Sequence, residues 1–75
     1  MDRRSEMVAD NVRAVMARTR TTQHMLAGAL GLSQQSVSRR LAGLTPFALD
    51  ELDVVARVLD VPVATLLDEH EAVAS

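Results

Sequence analysis

The chain has 75 residues, a formal net charge of −2, no cysteine and a single aromatic residue, Phe47. This length suits one small domain with a modest core, and the missing cysteines exclude a disulfide framework and a thiolate metal site, as suits a reducing cytoplasm. No apolar run approaches the roughly 18 residues of a membrane span, and the amino-terminal stretch has no signal-peptide apolar region.

The apolar residues are almost all Leu, Val, Ala and Met, spaced without the alternation that marks strands, so an all-α fold is expected. The small net charge hides an asymmetry. Residues 1–40 hold seven Arg against Asp2, Glu6 and Asp10, a net of +4. Residues 41–75 hold Arg57 against Asp50, Glu51, Asp53, Asp60, Asp68, Glu69 and Glu71, a net of −6. A basic half suits a polyanionic partner, and an acidic half turned away from it limits nonspecific association.

In chain order, residues 1–5 read as a flexible arm carrying Arg3 and Arg4, residues 6–68 as the folded domain, and residues 69–75 as a disordered tail containing His70. Val8, Val12, Val15 and Met16 predict a first helix from Glu6 to Arg18, and Arg18 to Thr21 form a polar connection. Thr22 caps a second helix, Gln23 to Leu30, which stops at Gly31. Ser33 caps a third, Gln34 to Ala42, with Val37, Leu41 and Leu44 on one face and Gly43 at its end. Thr45, Pro46 and Phe47 form a turn that points Phe47 inward. A fourth helix, Leu49 to Leu59, buries Leu52, Val55, Ala56 and Leu59, and the carboxylates of Asp50, Glu51 and Asp53 in its first turn suit the helix dipole. Pro62 opens a short fifth helix ending near Leu67 or Asp68. Met7, Met16 and Met25 read as core filler.

The informative stretch is Thr22 to Gly43. Ala27 is a small residue where a second helix must approach closely. Gly31, four residues on, permits the positive φ of a turn, and Val37, six further, plugs the angle between the helices. This frame is the shape of a helix-turn-helix. The third helix then turns Gln34, Gln35, Ser38 and Arg39 outward, residue types that read base edges in a major groove. A glutamine amide matches adenine N6 and N7 and an arginine fork matches guanine, each good pair contributing roughly 1–3 kcal/mol of discrimination.

Five short helices with the helix-turn-helix at the second and third resemble the lambda repressor and Cro-like DNA-binding domains. The resemblance spans about Val8 to Leu67. It rests on Thr22-Gln23, on Ala27 and Gly31, on Ser33 through Arg39, and on Leu49 through Leu52 with Ala56, Leu59, Val61 and Leu66-Leu67. The segment Val37 to Leu41 is also similar to the recognition helix of the Lac repressor group, without that group's hinge and sugar-binding domain. The resemblance implies that Gln23 touches a backbone phosphate and braces Gln34, which leaves Gln34 two candidate uses, base reading or that phosphate network. Further phosphate contacts are expected from Ser33, Ser36, Arg40 and Thr45, with Arg18 and Arg20 adding long-range attraction. The chain departs from the family pattern at Arg40, where most members carry an apolar residue that here comes one later at Leu41, and at Ala42, where some relatives carry a phosphate-contacting Asn.

These features predict a sequence-specific transcriptional regulator of phage or prophage repressor type. It would bind double-stranded operator DNA in the cytoplasm of a bacterium or phage-infected host, as a weak homodimer at least on DNA. Val61, Val63, Leu66 and Leu67 are the candidate dimer surface, with packing of Leu66 on the domain's own core an equal alternative. No nucleophile–base set is present, Asp50-Glu51 reads as a helix start, and His24 reads as a surface residue near the DNA backbone; no enzyme activity, cofactor or metal is expected. Two other readings stay open. One is a protein-interaction module on the same scaffold, an antitoxin or adaptor docking a basic partner on the acidic half; the other is a recombination directionality factor.

Overall fold

Val8, Val12, Val15 and Met16 repeat at the spacing of one helical face, and all four are buried, so the first helix forms around a stripe that must be covered. In the computed structural model, which describes residues 3–69, that helix is α1 (Arg3–Thr19). It is followed by α2 (Gln23–Leu30), α3 (Gln34–Leu41), α4 (Leu49–Leu59) and α5 (Val63–Leu66). The fold is all-α, a bundle of five short helices, with no strand among the described residues. Among those residues no helix is long and apolar enough to cross a membrane.

α1 begins at Arg3, where the apolar periodicity alone predicted a start at Glu6. Its extra turn lies against the α3–α4 connection, where Arg4, Ser5 and Val8 line a shallow apolar depression with Pro46, Phe47 and Leu52. Packing carries the helix past the point where its own pattern starts. Met1 and Asp2 of the expected arm and residues 70–75 of the expected tail, His70 included, lie outside the described residues.

Two kinds of helix end recur. The Thr22 hydroxyl accepts from the Met25 N–H and the Ser33 hydroxyl from the Ser36 N–H, each at 3.1 Å, satisfying donors that the first turns of α2 and α3 leave open. At the other ends, Arg20, Gly31, Gly43 and Asp60 are all left-handed, with φ of 56°, 67°, 78° and 58°. Each lets the next N–H reach back to a carbonyl five residues earlier: Thr21 to Met16, Leu32 to Ala27, Leu44 to Arg39 and Val61 to Ala56. These bonds close the last turns and swing the chain into the next helix.

The core draws on every helix: Val8, Val12, Val15 and Met16 from α1, Leu26 and Ala27 from α2, Val37 and Leu41 from α3, Leu52, Val55, Ala56 and Leu59 from α4, and Leu66 from α5. Phe47, Val61 and Val63 pack against it partly buried. Asn11 is also fully buried, and its Nδ2 donates to the carbonyls of Leu66 at 2.8 Å and Asp68 at 2.7 Å. The amide thereby ties α1 to the end of α5 and satisfies carbonyls that a four-residue helix cannot cap itself.

Three apolar expectations are corrected. Leu44 was expected on the buried face of α3 but is 56% exposed, because Gly43 turns the chain out of the helix before it. Met25 is exposed rather than core, since it follows the polar start of α2 on the outer side. Leu66, placed on the candidate dimer surface, is 0% exposed, and its alternative role as core is the one observed.

Candidate nucleic-acid interface

α2 and α3 are joined by Gly31, Leu32 and Ser33, and the frame inferred from the sequence meets in space. Ala27 and Val37 are both buried, and Gly31 takes its positive φ with its N–H on the Ala27 carbonyl. A Cβ at Gly31 would meet nothing within 4 Å. The glycine is therefore required by backbone conformation and not by close packing.

This frame holds α3 with one face in the core and the other in solvent. Gln35, Ser38 and Arg39 are exposed, and none of the three side chains is engaged in a hydrogen bond or ion pair with another described residue. They lie within the first turn and one turn later, the positions from which a groove-docked helix reaches bases. Gln34 is exposed as well but is already engaged: its Nε2 lies 3.0 Å from Nδ1 of His24 on α2. The brace expected from Gln23 comes instead from the residue after it. One helical step of about 100° carries His24 toward α3, and Gln23 stays exposed without a side-chain partner among the described residues.

Arg40, expected on a phosphate, is placed elsewhere. Its Nε and Nη2 donate to the two carboxylate oxygens of Glu51 at 3.0 and 3.2 Å, and its Nη1 donates to the Ser36 carbonyl at 3.1 Å. The two side chains retain only 17% and 19% exposure, so the fork joins the end of α3 to the start of α4 in a partly desolvated setting. Glu51 Oε1 also accepts the Ala48 N–H at 2.9 Å. The Arg40 guanidinium holds the Glu51 carboxyl below its ordinary value of 4.5, and the Ala48 N–H acts the same way against the burial that pushes it up. Arg40 thus sits at the α3–α4 junction by pairing with α4, and its charge is compensated within the fold.

The other end of that junction is equally tied. Arg13 of α1 donates to the Leu41 carbonyl and pairs with Asp10, so a cation sits at the carboxyl end of α3. Gly43 is buried against α1: a Cβ there would lie 3.3 Å from Glu6 Cγ and 3.4 Å from Glu6 Cα. Glu51 and Arg13 are participants that sequence reasoning missed. The Glu51 residue at N3 of α4 was legible as a helix start, but its partner is eleven residues away and no local spacing points to it.

The remaining candidates divide. The Ser33 hydroxyl is committed as a cap and also donates to Ser36 Oγ at 3.0 Å, leaving backbone groups and residual lone pairs for a phosphate. Thr45 is half-buried in the α3–α4 connection and Arg20 is exposed at the end of α1. Of the candidate dimer surface, Leu67 alone is exposed, at 44%, while Val61 and Val63 are partly covered by the core. Two large apolar side chains that were not assigned to a surface, Leu44 and Leu49, are exposed beside the start of α4, Leu49 at 82%. Among the described residues no group of three or more His, Cys, Asp or Glu is placed to hold a metal ion.

Comparison with curated proteins and with solved structures gives no match. The family model described as the BetR domain matches residues 3–75, which takes in all five helices and the whole α2–α3 frame, and the chain belongs to the BetR domain family.

Proposed function

We propose that this protein is a sequence-specific double-stranded DNA-binding transcriptional regulator of repressor type, which lays α3 in the major groove of an operator. The observation that carries the reading is the split surface of α3. Val37 and Leu41 are sealed in the core, while Gln35, Ser38 and Arg39 face solvent with no partner among the described residues. The helix that bears these exposed polar side chains is held firmly and leaves them available to an external partner, and their types match base edges. The arrangement resembles the lambda repressor and Cro-like domains, and membership of the BetR family is in keeping with a regulatory role.

In this reading Gln34, Gln35 and Arg39 contact bases and Ser38 permits close approach. Gln23, Ser33, Ser36 and Thr45 line the phosphates, and Arg20, without a partner among the described residues, supplies a cation that Arg40 does not. A single half-site offers limited specificity, so two copies act together on a site, from the cytoplasm of a bacterium or phage-infected host. Occupation of the promoter excludes polymerase.

Selection of bound sequences from random duplex DNA, with the winner titrated at two salt concentrations, tests this. The expected result is an enriched motif, two half-sites about one helical turn apart, and a steep salt dependence. Weak salt-sensitive binding with no motif would overturn it. A protein-docking function is the second reading, favoured by Leu44 and Leu49 standing exposed beside exposed Asp50 and Asp53. Neutralising Asp50 and Asp53 while sparing Glu51, which the fold uses, should leave operator binding intact and abolish docking of a basic partner if that reading holds.

A further inference from the structure

We propose that His24 is a positioning residue that decides which way the Gln34 amide faces a base, and so sets the base preference at one operator position. The inference rests on the DNA-reading function proposed above. It is carried by the contact between His24 Nδ1 and Gln34 Nε2 at 3.0 Å, which joins the first turn of α2 to the first residue of α3.

A glutamine amide has a nearly two-fold terminal torsion, so oxygen and nitrogen exchange places at little cost. A free Gln34 presents acceptor–donor and donor–acceptor orders in turn and selects poorly between bases. With the imidazole proton on Nε2, the bare Nδ1 of His24 accepts one N–H of the amide. With the N–H anti to the amide oxygen given to His24, the oxygen and the remaining N–H lie side by side on the outward edge in one fixed order. That order is the complement of adenine N6 and N7. The histidine removes the ambiguity before DNA arrives, so less freedom is lost on binding.

The geometry also divides the labour at the start of α2. His24 braces Gln34, which leaves the Gln23 amide exposed and uncommitted among the described residues, for a phosphate. Both residues of the pair are exposed, and neither belongs to the core, so their replacement does not test the fold.

The test compares His24→Asn with His24→Leu. Asparagine Oδ1 takes the place of Nδ1 and can accept the same N–H; leucine fills similar space and accepts nothing. Thermal melts establish that both variants fold, and Gln34→Ala identifies the operator position that Gln34 reads. Competition among the four bases at every position of the selected site is then measured. The wild type and His24→Asn are expected to prefer adenine at the Gln34 position. His24→Leu is expected to lose about tenfold in that preference, or about 1.4 kcal/mol, with no change at other positions. Unchanged preference in His24→Leu overturns the inference, as does an equal loss at all positions, or a Gln34→Ala variant that alters no base preference. If the wild type itself selects no sequence, the DNA-reading function fails first and the inference falls with it, an outcome distinct from the others.

Discussion

The outward face of α3 carries Gln35, Ser38 and Arg39 exposed and unpartnered among the described residues, whereas the face toward α4 carries Arg40 in a fork to Glu51 and Leu41 in the core. Arg39 and Arg40 are neighbours of identical chemistry. A rotation of about 100° between successive residues puts one in solvent and the other against the first turn of α4. The lesson is that charge counts by sequence position overstate what is available to a ligand. Two arginines of the basic half, Arg13 and Arg40, are paired with Asp10 and Glu51, so that half delivers less free positive charge to its surface than its composition suggests.

The contrast is broken most forcefully on the buried side. Arg40→Ala should cost about 2–3 kcal/mol of folding stability, because it strands a largely covered Glu51 carboxylate without its fork. A double-mutant cycle with Glu51→Ala, read by urea unfolding, should show a coupling of about 1–2 kcal/mol. Additive effects would mean that the pair is decorative. Loss of DNA affinity in Arg40→Ala with unchanged stability would return Arg40 to the phosphate role.

Arg39→Ala should do the reverse. Its unfolding midpoint should match the wild type, while binding to the selected site weakens by about 1–3 kcal/mol with relaxed preference at one base pair. Equal weakening on every sequence would reduce Arg39 to a phosphate contact. The difference between these neighbouring substitutions is the sharpest check on the two-faced reading of α3.

The two glycines that bracket α3 extend the comparison. Both need positive φ, but only Gly43 also lies against another helix. Gly31→Ala should therefore cost about 1 kcal/mol, for backbone strain alone, and Gly43→Ala about 2 kcal/mol, since the added methyl also presses on Glu6 of α1. Thermal melts of the two variants would rank them; a larger loss at Gly31 would contradict the observed packing.

The smallest effect is that of acid. Folding lowers the Glu51 pKa, so the unfolded chain binds the proton more readily, and stability rises with pH across the window between the folded value and about 4.5. The contribution is fully present above the unfolded value and is lost as pH falls through the folded one. The stability gap between wild type and Glu51→Gln should accordingly narrow between pH 6 and pH 3 in urea titrations. A constant gap would show that the carboxylate's charge is immaterial.

Much of this could be read from residues at local spacing. Thr22 and Ser33 sit just before helical patterns and do cap them, and Gly31 and Gly43 do end helices. Arg20 and Asp60 end helices in the same left-handed geometry, yet neither type announces it, because the context that enforces the turn lies in the packing on either side. The buried stripe of α4 was legible from period alone. Leu44 was misplaced because a helical period extended through Gly43 puts it inside, and the turn at that glycine takes it out.

Local periodicity and capping chemistry by themselves determined that this chain is a five-helix domain with a helix-turn-helix frame and a polar outward surface on its third helix. Those are decisions between residues a few positions apart, and short-range sterics and hydrogen bonding settle them. Tertiary structure alone decided that Arg40 belongs to Glu51, that His24 and not Gln23 meets Gln34, that Asn11 holds the end of α5, and that Leu66 is core. Each of these depends on the rotation of one helix against another, which is set by how the whole apolar core packs and is carried by no single segment of the sequence.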